Sequence, residues 1–288
     1  MIKNILILLL SIAVFSSWGI ISKIYTYPVF ELLFVIHFAG VFVGLFHSVK
    51  NKNKRKELLK IKKTTFFIAI TLISDIFFLV LAYRSTNMAT AITLHYLAPL
   101  LVPLFAILFL KEKINLKQYI PIALLGLAGT ILISINTITV NPLGLFYGIM
   151  SGITLGLIIV LQKKNASSTY ISVLVFQYSL IQSLTDLILG LIFNQIHLAL
   201  TFGFISLFLF GLIIRHGTLL YNYALKHLDI STASILAYTE VGLSVLYGFV
   251  LFHQKIFLAE IIGIILIILA GILIVMRKID KEEITENI

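Results

Sequence analysis

The sequence predicts an all-α membrane protein with ten transmembrane helices arranged as two inverted five-helix repeats. Three observations predict it. Hydrophobic residues make up 60% of the 288 residues, charged residues only 12%, and mean hydropathy is +1.08, a composition that no soluble core requires. Apolar runs near the ~20 residues that a bilayer core of about 30 Å demands recur ten times, joined by short connectors. Residues of the first half reappear in the second at one fixed offset, the 142 positions between Tyr96 and Tyr238.

The first run covers residues 5–24 behind a single Lys3. Its beginning looks like a signal peptide, but it continues past any small-residue cleavage point and nine like runs follow, so a retained helix is expected. It carries Ser16, Ser17, Trp18 and Gly19. The second run, 29–49, holds His37 and has Gly40 and Gly44 four apart, a spacing that lets two membrane helices approach closely. The connector 50–63 carries eight lysines and arginines. It reads as a cytoplasmic loop and not as a nucleic-acid site, because basic loops are the ordinary orientation signal of membrane proteins.

The third run, 65–83, has Asp75 at its middle. The fourth, 89–110, contains Pro99 and Pro103, each of which removes a backbone donor, so this helix is expected to bend or open. The fifth spans 118–135. The sixth, 143–161, lines up Gly148, Gly152 and Gly156 in a small-residue stripe that suits a neighbouring helix. The seventh, 170–193, carries Gln177, Gln182 and Asp186; the eighth, 202–223, carries Arg215, His216 and Asn222. The ninth, 230–252, holds Tyr238, Glu240 and Ser244, and the tenth, 258–276, precedes an acidic polar tail.

Ten spans with the basic connector inside put both termini in the cytoplasm of a multi-pass cell-membrane protein. The charges agree. Lys3, the connector, Lys111, Lys113, Lys117, Lys163, Lys164, Lys226, Arg277, Lys278 and Lys281 all fall inside, while the outer side keeps Lys23, Arg84 and Lys255.

At the offset of 142, Thr90 and Ala91 meet Thr232 and Ala233, Leu94 meets Leu236, Lys113 and Ile114 meet Lys255 and Ile256, and Ala128 and Gly129 meet Ala270 and Gly271. Five spans separate the copies, an odd number, so the second copy enters the membrane upside down, which divides the chain into 1–138 and 139–288. Inverted repeats place a binding site near mid-membrane and alternate its access. The pair Trp18–Gly19, the run from Ala91 to Leu101, the LKEKI that follows it, and LAYTE with GFVLFHQKI near the end resemble the paired EamA-type repeats of the drug/metabolite transporter superfamily. The second copy departs from that pattern at Val241 and at Phe252, His253 and Gln254. The resemblance implies a ten-helix secondary transporter with a central cavity, many members exporting amino acids and other small metabolites.

Polar groups within the spans are the candidate substrate-binding residues, since a charge at mid-membrane costs at least ~2.5 kcal/mol and persists facing a partner, a cavity or a solute. Glu240 shares a helical face with Ala233, Ala237, Ser244 and Tyr247; it is able to exchange a proton or meet an ammonium group, or else to pair with Arg215. Arg215 offers a planar fork for a carboxylate, or else a salt bridge to Glu240 or Asp75. Asn222 lies on the same stripe as Arg215, and His216 beside it. The offset sets Asp75 at the depth of Arg215 and makes Tyr96 and Tyr238 counterparts, able to offer hydroxyls or ring faces to a cation. His95 precedes Pro99. Trp18 reads as a belt residue by default, and its place in the motif that resembles the family implies a cavity wall instead. His37 and Asp186 read first as helix packing.

No phosphate loop, HExxH, GxSxG or cysteine cluster occurs, and cysteine is absent, so neither an enzyme nor a cofactor is expected. The resulting expectation is a secondary active or passive transporter, an amino acid exporter, with the bilayer, a small-molecule substrate and protons as partners and a homo-oligomer left open. The alternatives are an organic-cation or drug carrier and a non-transporting membrane interaction protein.

Overall fold

The computed structural model describes residues 1–86, 88–135, 141–167, 169–197, 199, 201–253 and 255–286. Gln254 and the side chains of Lys23, Phe252, Lys278 and Lys281 lie outside the described residues. The described chain is all-helical: α1 (Ile2–Phe15), α2 (Trp18–Ile24), α3 (Val29–Val49), α4 (Lys52–Glu57), α5 (Lys63–Ser85), α6 (Met88–His95), α7 (Ala98–Leu110), α8 (Leu116–Ser134), α9 (Pro142–Ala166), α10 (Ile171–Ile192), α11 (Phe202–His227), α12 (Ile230–Leu236), α13 (Thr239–Phe252) and α14 (Leu258–Glu286). Among the described residues nine stretches are long and apolar enough to cross a membrane, and the shorter apolar α1 precedes them.

Three of the ten expected spans are pairs of helices. The first breaks at Ser16–Ser17, where both hydroxyls bond back to carbonyls, of Ile12 at 2.9 Å and of Val14 at 2.6 Å, and so compete with the helical ladder. The fourth breaks at Tyr96–Leu97, just ahead of Pro99 as its missing donor requires. The ninth breaks at Ala237–Tyr238 with no proline, held by short-range bonds from the N–H of Glu240 to the Ala237 carbonyl at 3.0 Å and of Val241 to that of Tyr238 at 3.1 Å. One helical face therefore does not run unbroken from Ala233 to Ser244.

The chain forms two compact units that cut across the sequence halves. One comprises Met1–Phe77 and Leu161–His227, the other Phe78–Val160 and Leu228–Ile288. In the first, α3 packs along both α10 and α11, and α1 lies on α11. The glycines of α3 permit this: a Cβ on Gly44 would stand 2.5 Å from the Phe176 Cα. Leu58, Val173 and Phe176 pack together beneath the basic connector. Gln177 Nε2 donates toward the carbonyls of Glu57 at 2.9 Å, Leu58 at 3.1 Å and Lys60 at 3.3 Å, fixing the connector to α10.

In the second unit the offset of 142 is visible in the backbone. The starts of α6 and α12 (Met88, Ile230) and of α8 and α14 (Leu116, Leu258) keep it. The caps of α7 and α13 keep it too: Lys111 (φ 56°) and His253 (φ 51°) are both left-handed, their N–H groups reaching back to Ala106 and Gly248. α8 crosses α14 at Gly129 and Gly263, each of which approaches the other's carbonyl so closely that a Cβ would collide. The core of this unit is Tyr96, Tyr119, Tyr238, Ile235, Val241 and Ile267 with their neighbours. Gly152 of the α9 stripe sits against the Leu94 carbonyl, where a Cβ would be 2.5 Å from the oxygen.

Candidate functional site

The first unit buries ions. His37 on α3 donates through Nδ1 to Asp186 Oδ2 on α10 at 2.5 Å, both side chains fully buried. Arg215 on α11, 4% exposed, donates through Nη1 to Gln182 Oε1 at 3.2 Å. Gly40 makes the room. A Cβ there would meet Ser179 Oγ and stand 2.7 Å from Arg215 Cδ, so the arginine stem crosses α3 only because position 40 is bare.

Ser179, Gln182 and Asp186 follow one another at spacings of three and four, and so share one face of α10. Several polar atoms in this unit are buried with no hydrogen-bond partner among the described residues: His37 Nε2, Ser179 Oγ, Gln182 Nε2, Asp186 Oδ1, Arg215 Nε and Asn222 Oδ1. Each such group costs about 1–3 kcal/mol.

Of the other expected groups in this unit, Asn222 is buried and donates through Nδ2 to the Thr218 carbonyl at 2.9 Å. Asp75 is buried on α5, and Trp18, half-buried, opens α2. His216 does not join Arg215. It is exposed, bonds the Leu212 carbonyl through Nδ1 at 2.8 Å, and sets Nε2 3.4 Å from that of His47.

The second unit gathers Tyr96, Tyr238, Glu240, His95 and Ser244. Tyr96 and Tyr238 stand at the two helix breaks, both buried, with ring centroids 5.8 Å apart. Glu240, in the first turn of α13 and half-buried, is hydrogen-bonded to the Tyr96 side chain. The Tyr238 ring fills the space left by Gly126, and its hydroxyl is buried with no partner among the described residues. Ser244 donates to the Glu240 carbonyl at 2.8 Å, and His95 Nδ1 lies 2.7 Å from Ser151 Oγ.

Tyr119 was outside the expected set. Its hydroxyl donates to the Pro99 carbonyl at 2.6 Å and lies 2.9 Å from Ser234 Oγ. The helical donor for that carbonyl would come from residue 103, a proline without an N–H. A proline four residues after another, with a tyrosine on the next helix, is the signal in the sequence that points to it.

Many apolar helices, repeated helix pairs and ionic groups buried inside them define a multi-pass membrane protein of the transporter class. The family model described as EamA-like transporter family matches residues 2–135 and again 142–276. The chain belongs to the EamA-like transporter family. It is 27% identical over 203 residues to an uncharacterized transporter of Helicobacter pylori, covering 68% of this chain and 67% of that one. It is 30% identical over 133 residues to the uncharacterized transporter YxxF of Bacillus subtilis, covering 44% and 41%. A solved crystal structure shares its fold at a TM-score of 0.82 and 19% identity, over 94% of this chain and 96% of the other.

Proposed function

We propose that this protein is a secondary transporter that exports amino acids or related small metabolites by alternating access of inverted repeats, with both termini in the cytoplasm and a proton as coupling ion. The observation that carries the reading is the pair of unlike polar sites buried in membrane-spanning helices. Arg215, with Nε unpartnered among the described residues, is the group for a carboxylate. Glu240, with Tyr96 beside it, is the group for an ammonium. Tyr238, His95, Ser244, Asp75, Asn222 and Trp18 are the further substrate contacts in this reading, and the His37–Asp186 pair is the place for the proton.

A second reading has its own observation in favour. Arg215 already binds Gln182, whereas Glu240 sits with two tyrosines, the surroundings that suit an organic cation.

Counterflow in liposomes decides between them. Exchange of labelled amino acids that is lost in both Glu240→Gln and Arg215→Gln supports the first reading. Exchange of a quaternary amine that survives Arg215→Gln supports the second. Flux that ignores an imposed pH gradient, or that keeps its response in Asp186→Asn, removes the proton from either.

A further inference from the structure

The end of the first unit that carries the basic connector holds a cavity of about 380 Å³, walled by the last turns of α3 and α11, by α4 and by the start of α10. Its lining contributes Lys54, Lys226, His47 and His227, and no carboxylate is among the lining residues. Among the described residues neither lysine is paired with a carboxylate. Lys54 reaches the His47 carbonyl at 3.4 Å and the Tyr170 ring at 5.9 Å, while Glu57 is engaged by Lys60 at 2.8 Å.

Basic residues at the ends of helices are expected from orientation and from the helix dipole alone. Those causes explain their number but not their convergence, from three separate segments, on one concave wall. Like charges so placed repel one another, and an anion seated among them relieves this. Hydroxyls of Thr169 and Ser172 and the start of α10, whose N-cap makes no side-chain bond, add donors of the kind that phosphate oxygens accept. The cavity lies where α3 and α11 end and α10 begins, the depth of lipid headgroups for spans of this length.

The geometry points to a binding site for a phosphoryl group, that of an anionic phospholipid headgroup or of a free phosphate, held by Lys54, Lys226 and His47. It is separate from the buried groups assigned to transport, and it stands whether or not that assignment does.

The test uses the full chain, purified in a neutral detergent and titrated with phosphatidylglycerol, phosphatidylcholine or sodium phosphate, reading bound lipid by native mass spectrometry and the melting temperature in parallel. Phosphatidylglycerol is expected to bind more tightly than phosphatidylcholine and to raise the melting temperature. The double variant Lys54→Gln/Lys226→Gln is expected to weaken it by about 30-fold, from the contribution of two lysines near an anionic surface. Lys50→Gln/Lys52→Gln removes the same charge from the neighbouring surface outside the cavity and is expected to change affinity less than threefold. Competition by sodium phosphate identifies the phosphoryl group alone as sufficient; protection by the lipid without such competition identifies the headgroup in its bilayer setting. Equal losses in the two double variants, or no preference for either phosphate source over phosphatidylcholine, would overturn the site.

Discussion

In the unit that holds α3, α10 and α11, charge is buried on helices that run unbroken past it; in the other, hydroxyls and one carboxylate gather where α6 gives way to α7 and α12 to α13. The first arrangement needs only side chains. His37 pairs with Asp186 between α3 and α10, and Arg215 on α11 bonds Gln182 on α10, so each backbone keeps its ladder. The second uses the backbone itself, opening at Tyr96–Leu97 and Ala237–Tyr238 and setting a tyrosine at each opening. Proline is not the common cause, because Val241 occupies the position equivalent to Pro99. What the two breaks share is the tyrosine, wedged against its counterpart and, at Tyr238, into the hollow over Gly126.

The largest effect is expected from the ionic side of this comparison. Asp186→Leu leaves His37 buried without its carboxylate and is expected to lower unfolding stability by about 3–5 kcal/mol. Adding Arg215→Leu is expected to restore part of the loss, with a coupling of about 0.5–3 kcal/mol in a double-mutant cycle by denaturant titration. Strict additivity of the two substitutions would show that Arg215 and Asp186 do not act together.

The helix crossing that holds those charges comes next. Gly44→Val drives a branched side chain into the Phe176 backbone and is expected to cost about 1–3 kcal/mol. Gly242 in the other unit is the control, since a Cβ there meets nothing nearer than Ile264 at 3.7 Å. Gly242→Ala is expected to stay within about 0.5 kcal/mol of the parent, and equal melting temperatures for the two variants would contradict the close approach of α3 to α10.

Much of this architecture was legible in the sequence. Apolar run length predicts the spans, the offset of 142 predicts paired helices whose caps at Lys111 and His253 match, and Gly40 and Gly44 announce a close crossing. The breaks at Ser16–Ser17 and Ala237–Tyr238 were not legible, because hydropathy is blind to where a ladder changes from four-residue to three-residue bonds. Nor were the His37–Asp186 pair and the Gln182 partner of Arg215. The offset compares like with like, and here the copies differ: Ser179 stands at the counterpart of His37, Gly44 at that of Asp186 and Ile73 at that of Arg215. The His37–Asp186 pair and Arg215 stand at places where the repeat is broken, so a symmetry argument passes over them.

On the side of the broken helices the effects are smaller. Tyr119→Phe removes the hydroxyl that serves the Pro99 carbonyl and is expected to cost about 1–2 kcal/mol. In a Pro103→Ala background the backbone N–H of residue 103 takes over as donor, so the same substitution is expected to cost less there. An undiminished loss would mean that Tyr119 stabilises the break through packing alone.

Tyr238→Phe carries the smallest effect on stability and separates the two roles of the tyrosine pair. The ring keeps its place over Gly126 and beside Tyr96, while the hydroxyl it loses is buried without a partner among the described residues. Stability is therefore expected to stay level or to rise by up to about 1 kcal/mol. A hydroxyl kept for a solute gives a different answer in transport: counterflow of labelled amino acids falls at least tenfold while the melting temperature holds. If flux and melting temperature both hold, Tyr238 is a wedge that keeps α12 and α13 apart, and solute contact in this unit falls to Glu240 and Tyr96. A drop in both would mean that the hydroxyl has a structural partner outside the described residues, and the contrast between charge held by side chains and polarity held by backbone would then rest on Tyr96 alone.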